Sequence, residues 1–168
     1  MHRLPILALL LLVLAGVGLG PGTVLAIGGG GAGGPSSASA ESGDWTKAKR
    51  AIAAKDYDAA VPLLKQVVQQ DPKNADAYNY LGYAHARSGK SDAALGYYKQ
   101  ALALKPEHRG ANEYLGDLYL KLGDLAAAEE RLAVLDKACL FGCVEYDLLK
   151  EAVQKYKATG KFSSGKGL

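Results

Sequence analysis

Residues 75–108 read ADAYNYLGYAHARSGKSDAALGYYKQALALKPEH, and this stretch decides the fold. It divides into two amphipathic segments, broken at Ser88-Gly89-Lys90 and stopped by Pro106. Tyr78, Leu81, Gly82 and His85 share one face of the first, and Ala94, Tyr98 and Ala101 share the matching face of the second. The small residues Gly82 and Ala94 let two backbones approach, with Tyr98 filling the wedge between them. Weaker copies lie to either side at a spacing of about 34 residues, a period that signals stacked helical hairpins.

On the N-terminal side, Trp45, Ala48 and Ile52 mark a helix face, and Lys55-Asp56-Tyr57-Asp58 is expected to form the turn. Ala60, Leu64, Val67 and Val68 follow on a second helix that Asp71-Pro72 ends, with Pro62 expected in its first turn. On the C-terminal side, Leu115, Gly116, Tyr119, Gly123, Ala128, Leu132 and Leu135 keep the register until Leu140 stands where Pro72 and Pro106 predict a proline. Tyr146, Leu149, Val153 and Tyr156 then form one face of a capping helix over residues 144–158, and residues 159–168 are expected to be a disordered tail.

These positions resemble the tetratricopeptide repeat (TPR), whose pattern runs aromatic, Leu-Gly, aromatic, turn glycine, Ala, aromatic, Ala, Pro. The middle repeat matches at Tyr78, Leu81-Gly82, Gly89, Ala94, Tyr98, Ala101 and Pro106, with His85 in place of the second aromatic. The third matches at Leu115-Gly116, Tyr119, Gly123 and Ala128 but has Asn112 for its first aromatic. In the first, Lys47 takes the leucine place and Trp45 stands one residue off, which suggests a shifted register at that end. The resemblance implies an all-α solenoid of about three hairpins, over residues 41–74, 75–108 and 109–142, with the capping helix behind them. A short TPR unit ending in Leu-Phe-Gly-Cys also resembles small exported proteobacterial repeat proteins.

The resemblance further implies a concave groove, lined by the first helix of each hairpin, that receives a peptide or protein segment. Helical projection puts Asn79, Tyr83 and Arg87 on that face, followed by Glu113, Asp117 and Lys121, with Lys49 and Trp45 extending it. Some TPR proteins clamp the acidic tails of heat-shock chaperones, but Glu113 and Asp117 would repel a terminal carboxylate here.

The ends place the protein. Residues 1–26 carry Arg3, an apolar run from Leu4 to Leu19, a Gly20-Pro21-Gly22 break and the small or medium residues Val24-Leu25-Ala26 of a cleavage site. That order predicts a secretory signal and a periplasmic protein, or alternatively an uncleaved inner-membrane anchor. With the signal removed, no stable membrane insertion is expected. Residues 27–43, IGGGGAGGPSSASAESG, predict a flexible linker without a phosphate-loop pattern, so the domain is expected over 44–158.

Cys139 and Cys143 are the only two cysteines of 168 residues. In an exported chain an even pair predicts a disulfide, and helical spacing would put their Cα atoms about 6 Å apart. So small a ring stabilises by about 2 kcal/mol or less. A thiol-redox pair or a copper site remains the competing reading, giving a periplasmic redox or copper-handling accessory protein as the alternative function. A formal charge of +3 is too mild to argue for nucleic acid. No nucleophile–base or His-Glu-x-x-His pattern is present, so neither an enzyme nor a cofactor is expected. His85 is expected to be buried and hydrogen-bonded, and the ten tyrosines to line core and groove. Incompletely capped ends leave room for weak self-association.

Overall fold

A computed structural model describes residues 43–164. Seven helices and no strand occur among them: α1 (Gly43–Ala53), α2 (Tyr57–Gln70), α3 (Ala75–Arg87), α4 (Ser91–Leu104), α5 (Arg109–Leu122), α6 (Leu125–Ala138) and α7 (Val144–Thr159). The predicted signal segment and nearly all of the predicted linker lie outside the described residues. No described helix is long and apolar enough to cross a membrane.

Side chains placed at the turns start the helices. Asp56, Asn74 and Asp124 each accept a hydrogen bond from the backbone N–H three residues on, at 3.0, 2.9 and 3.0 Å. His108 does the same for α5 through Nδ1, 3.2 Å from the Ala111 nitrogen. With Nδ1 accepting, the hydrogen-bond pattern assigns the ring proton to Nε2, which donates to Asp76 Oδ1 at 2.8 Å. Asn112, at an aromatic position of the repeat, is fully buried and donates to the carbonyls of Pro106 and His108 at 2.9 and 3.1 Å. Its amide thus satisfies the turn that a ring would only have packed against.

Consecutive helices pair as antiparallel hairpins, α1–α2, α3–α4 and α5–α6, and each hairpin packs on the next. Odd-numbered helices also touch one another along the row α1, α3, α5, α7, whereas even-numbered helices do not meet. The odd row therefore forms the tighter, concave side. Leu81 of α3 completes the cluster of Ala48, Ala60 and Leu64, and Leu115 of α5 completes that of Ala94 and Tyr98. The leucine of each first helix seals the hairpin before it.

Several sequence expectations require correction. Tyr57 and Asp58 belong to α2 rather than to the turn, because the Asp56 cap starts the helix there. Pro62 is consequently inside α2 and not in its first turn. It leaves the Asp58 carbonyl without its helical partner, on an exposed face where water can satisfy it. The register at the first hairpin is not shifted, since buried Ala48 stands one full repeat before Gly82 and takes its place. Lys47 is exposed at the leucine position, where no earlier hairpin among the described residues needs sealing. The tail remains packed beyond Thr159: Gly160, at φ 65°, turns the chain so that Phe162 reaches the cluster of Leu135, Leu149 and Val153.

The same register explains one strained residue. Lys55 has φ 59°, and its counterparts one and two repeats on, Gly89 and Gly123, have φ 75° and 87°. The hairpin turn demands a left-handed residue, and only the first repeat fills it with a side chain, at a cost of about 1–2 kcal/mol. Added chain entropy in the unfolded state offsets part of any gain from glycine. Lys55→Gly is expected to raise stability by about 0.5–1 kcal/mol. Urea unfolding monitored by far-ultraviolet circular dichroism measures this.

At the other end, Cys139 and Cys143 lie at disulfide-bonding distance, with Cα atoms 5.6 Å apart and Gly142 at φ 82° between them. This closed loop joins the end of α6 to the start of α7. Leu140 and Phe141 project from it at 82% and 101% exposure, where the two earlier turns carry Pro72-Lys73 and Pro106-Glu107. Beyond the loop, α7 is more than a generic cap. Tyr146, Leu149 and Val153 fall one repeat after Asn112, Leu115 and Tyr119, so α7 keeps the register of a hairpin's first helix.

Candidate functional site

The residues that helical projection singles out lie on α1, α3 and α5, at different depths. On α3, Asn79, Tyr83 and Arg87 follow at four-residue spacing. Tyr83 and Arg87 are half-buried, whereas Asn79 is only 6% exposed. On α5, Asp117 is half-buried and Lys121 exposed, while Glu113 is sealed at 2%. Asn79 and Glu113 therefore lie beneath the groove surface rather than on it. The cause is the close approach of α3 and α5: a Cβ built on Gly110 would sit 3.3 Å from Asn79 Nδ2. On α1, Lys49 Nζ stands 5.3 Å from the Trp45 ring centroid, and Trp45 meets Tyr80 edge-on at 5.5 Å.

An aromatic seam crosses the row. Tyr57 meets Tyr83 edge-on at 6.0 Å, Tyr83 meets Tyr114 at 5.0 Å, and Tyr114 reaches Tyr98 at 6.3 Å. Arg87 Nε donates to the Tyr57 hydroxyl at 3.3 Å, which holds the guanidinium over the N-terminal side of the seam. That hydrogen bond raises the Arg87 pKa further. Burial raises the Tyr83 pKa above 10.0, with the Tyr57 hydroxyl adding to it. Tyr98, nearly enclosed, is raised well above 10.0 by burial and then by the fields of Tyr114, Tyr83, Glu113 and Asp117. All three groups keep their charge states through neutral pH. The surface thus offers rings, hydroxyls, a fixed guanidinium and the half-buried Asp117, a set suited to recognition.

Sequence projection misses Tyr57 and Tyr114. It assigns Tyr57 to a turn, and Tyr114 is off the four-residue face of α5. Tyr114 joins the seam by meeting Tyr83 of α3, a contact that helical projection of α5 alone does not contain.

His85 departs from expectation in another way. Its ring stacks on Tyr97 at 5.1 Å and 16°, so it does replace an aromatic. Yet neither nitrogen has a hydrogen-bond partner among the described residues, contrary to the bonded imidazole expected. Burial lowers its pKa below 6.5, and Lys90 and Lys65 lower it further. A depressed folded pKa means that the unfolded chain binds the proton first. The stabilisation is whole above pH 6.5 and is lost as pH falls through the folded value. Between pH 7.5 and pH 5, wild-type protein is expected to lose a few degrees more Tm than His85→Phe. Paired thermal melts measure it.

Among the described residues no group of three or more His, Cys, Asp or Glu side chains is placed to hold a metal ion. A shallow depression lies outside the groove, between Lys105, His108, Arg109, Ala138 and Glu145.

The comparisons agree with this geometry. Two family models, both described as tetratricopeptide repeat, match residues 46–103 and 85–138. No curated protein matches the chain by sequence. Among solved structures, the chain is similar to the Sgt2 TPR domain from Aspergillus fumigatus, with TM-score 0.62 and 21% identity, over 68% of this chain and 77% of that one. It is similar to the first TPR of Spaghetti (RPAP3) bound to the HSP90 peptide SRMEEVD, with TM-score 0.60 and 18% identity over 68% and 90%. It is also similar to the TPR2B domain of yeast Sti1 in its pHsp70 complex, with TM-score 0.59 and 18% identity over 70% and 94%. The narrower resemblance to small exported proteobacterial proteins gains no support from these comparisons. At such identities the likeness carries the fold, and the family models carry the repeat: residues 46–138 of this chain are tetratricopeptide repeats.

Proposed function

We propose that the chain is a protein-interaction adaptor whose concave row receives an extended peptide or protein segment. The observation that carries this reading is the seam of Tyr57, Tyr83 and Tyr114 on the open side of the solenoid. Tyrosine supplies large contact area at low entropic cost, and an extended chain crossing it would find hydrogen-bonding groups on both sides. Tyr83, Arg87, Asp117 and Lys121 make the contacts, Lys49 extends the surface at the N-terminal end, and Asn79 and Glu113 support it from below. Two structural neighbours, the first TPR of Spaghetti and TPR2B of Sti1, were solved with chaperone partners, which supports the class of function and not the identity of the partner. Binding rather than catalysis is the role this assigns, and a protein rather than nucleic acid is the partner.

The site of action follows from residues 1–26, whose order of a basic start, apolar run and small-residue site favours export to the periplasm. There Cys139 and Cys143 would hold a structural disulfide that fixes how α7 leaves the third hairpin. The test of the adaptor reading is replacement of Tyr83 and Arg87 by alanine in otherwise folded protein. Partner capture from the native compartment is expected to disappear, and capture unchanged from wild type would overturn the reading.

A further inference from the structure

Five large apolar side chains are exposed among the described residues, and four of them belong to one edge of the solenoid. That edge is where even-numbered helices end and the next odd-numbered helices begin. Leu104 closes α4 there, Leu140 and Phe141 stand in the loop between the cysteines, and Val144, 64% exposed, opens α7. None of the four joins a core cluster, so folding does not account for them. An apolar group of this kind on a polar surface marks a place of contact.

The shallow depression lies on the same edge and has a volume of about 480 Å³. Ala138 and Glu145, at the two feet of the cysteine loop, both line it, so the protruding Leu140-Phe141 pair stands beside a hollow. Lys105 and Glu107 reach the hollow from the α4–α5 turn, and Arg109 and Gly110 from the start of α5. Gly110 and Ala138 bring nothing larger than a methyl group, and the stems of Lys105 and Arg109 are apolar up to their charged tips. None of Lys105, Glu107, Arg109 and Glu145 forms an ion pair among the described residues. Protrusion, hollow and charges of both signs are thus neighbours on one surface.

From this juxtaposition we infer that the edge is a two-fold interface with a second copy of the chain. Phe141 of each copy enters the hollow of the other, against the stems of Lys105 and Arg109, and Arg109 of each pairs with Glu145 of the other. A protrusion and a hollow side by side are both satisfied by one two-fold rotation, and such a contact closes at two copies. Charge selects the same occupant. A partner of one sign, an anionic lipid surface included, would meet Glu107 and Glu145 as well as the two cations, whereas a second copy offers both signs in return. The bridged loop presents Phe141 already ordered, which lowers the entropic cost of seating it. The inference goes beyond the adaptor reading and does not depend on it. Tyr83 and Arg87 lie in the C-terminal half of α3 and Lys121 in that of α5, away from the edge where those helices begin. The dimer therefore leaves two grooves open, and a partner with two segments gains avidity from both.

Sedimentation equilibrium of the full mature chain, from micromolar to millimolar protein, is the test. A monomer–dimer equilibrium in the micromolar range is expected, as befits a contact of modest area. Leu140→Ser combined with Phe141→Ser is expected to weaken it about a hundredfold or more with helical content unchanged, since both side chains are exposed in the single chain. Arg109→Glu and Glu145→Arg are each expected to weaken it about tenfold. Combined in one chain they are expected to restore it, because the cross pairs form again with reversed sign. A chain that stays monomeric at millimolar concentration, or a dimer indifferent to the loss of Leu140 and Phe141, would overturn the inference. So would assemblies that grow past two copies, or a double charge reversal that fails to recover. Tyr83→Ala is expected to leave the dimer intact, so the groove and this interface stand or fall in separate variants.

Discussion

Tyr98→Ala is expected to lower the free energy of unfolding by about 3–5 kcal/mol. The ring is 1% exposed and fills the wedge between α3 and α4, where a Cβ on Gly82 would lie 2.5 Å from Tyr98 Cδ1 and 2.6 Å from Cε1. Truncation leaves a cavity that neither helix can close, because α3 is also tied to the preceding hairpin through Leu81 and α4 to the following one through Leu115. The loss is a large share of the roughly 5–15 kcal/mol available to a domain.

Gly82→Ala tests the same wedge from the other side. Alanine gains about 1 kcal/mol of helix propensity, but its methyl must displace a rigid, enclosed ring, and overpacking of that kind costs about 1–3 kcal/mol. Gly116→Ala meets Leu149 Cδ2 at the same 2.5 Å, yet a leucine tip can rotate away. A net loss is expected for Gly82→Ala and a change near zero for Gly116→Ala, by denaturant unfolding of both. Equal effects at the two glycines would show that Tyr98 does not set the spacing of the middle hairpin.

The second large effect concerns binding. Removing Tyr83 and Arg87 together is expected to weaken partner affinity about a hundredfold, or about 2.8 kcal/mol, the scale of a tyrosine–arginine hot spot. Both side chains are half-buried and outside the core clusters, although Tyr83 also meets Tyr114, so Tm is expected to fall less than for Tyr98→Ala. Alanine at Lys99 and Gln100, exposed on α4 away from the concave row, is the matched control and is expected to leave affinity unchanged.

Most of this fold was legible before any coordinate, because the repeat period fixes helix faces, turns and the order of packing at once. Tyr98 against Gly82 follows from that period, whereas the packing of Leu81 on the preceding hairpin appears only in the structure. Where reading failed, local chemistry had overridden the pattern. Asp56 starts α2 before the turn is expected to end, and that moves Pro62 into the helix. Gly160 folds Phe162 back onto a core that periodicity could not extend to. Trp45 hid the true register of α1, which the buried Ala48 keeps.

The site was legible in a weaker sense. Four-residue spacing finds the faces of α3 and α5 but not their depth, which depends on how nearly two helices approach. Thus Asn79 and Glu113 share their helix faces with Tyr83 and Asp117 and prove to be buried. Tyr114 meets Tyr83 across two helices, a contact that no single-helix projection contains.

The central claim, that the partner lies along the concave row, is tested most directly by site-specific photo-crosslinking. A benzophenone amino acid is placed in turn at Tyr83 and Lys121 on the odd row and at Lys99 on the even row, in the full chain in its native compartment. The account predicts that the same partner species crosslinks from Tyr83 and Lys121 and not from Lys99. Crosslinking to it from Lys99 alone, or equally from all three positions, would contradict it.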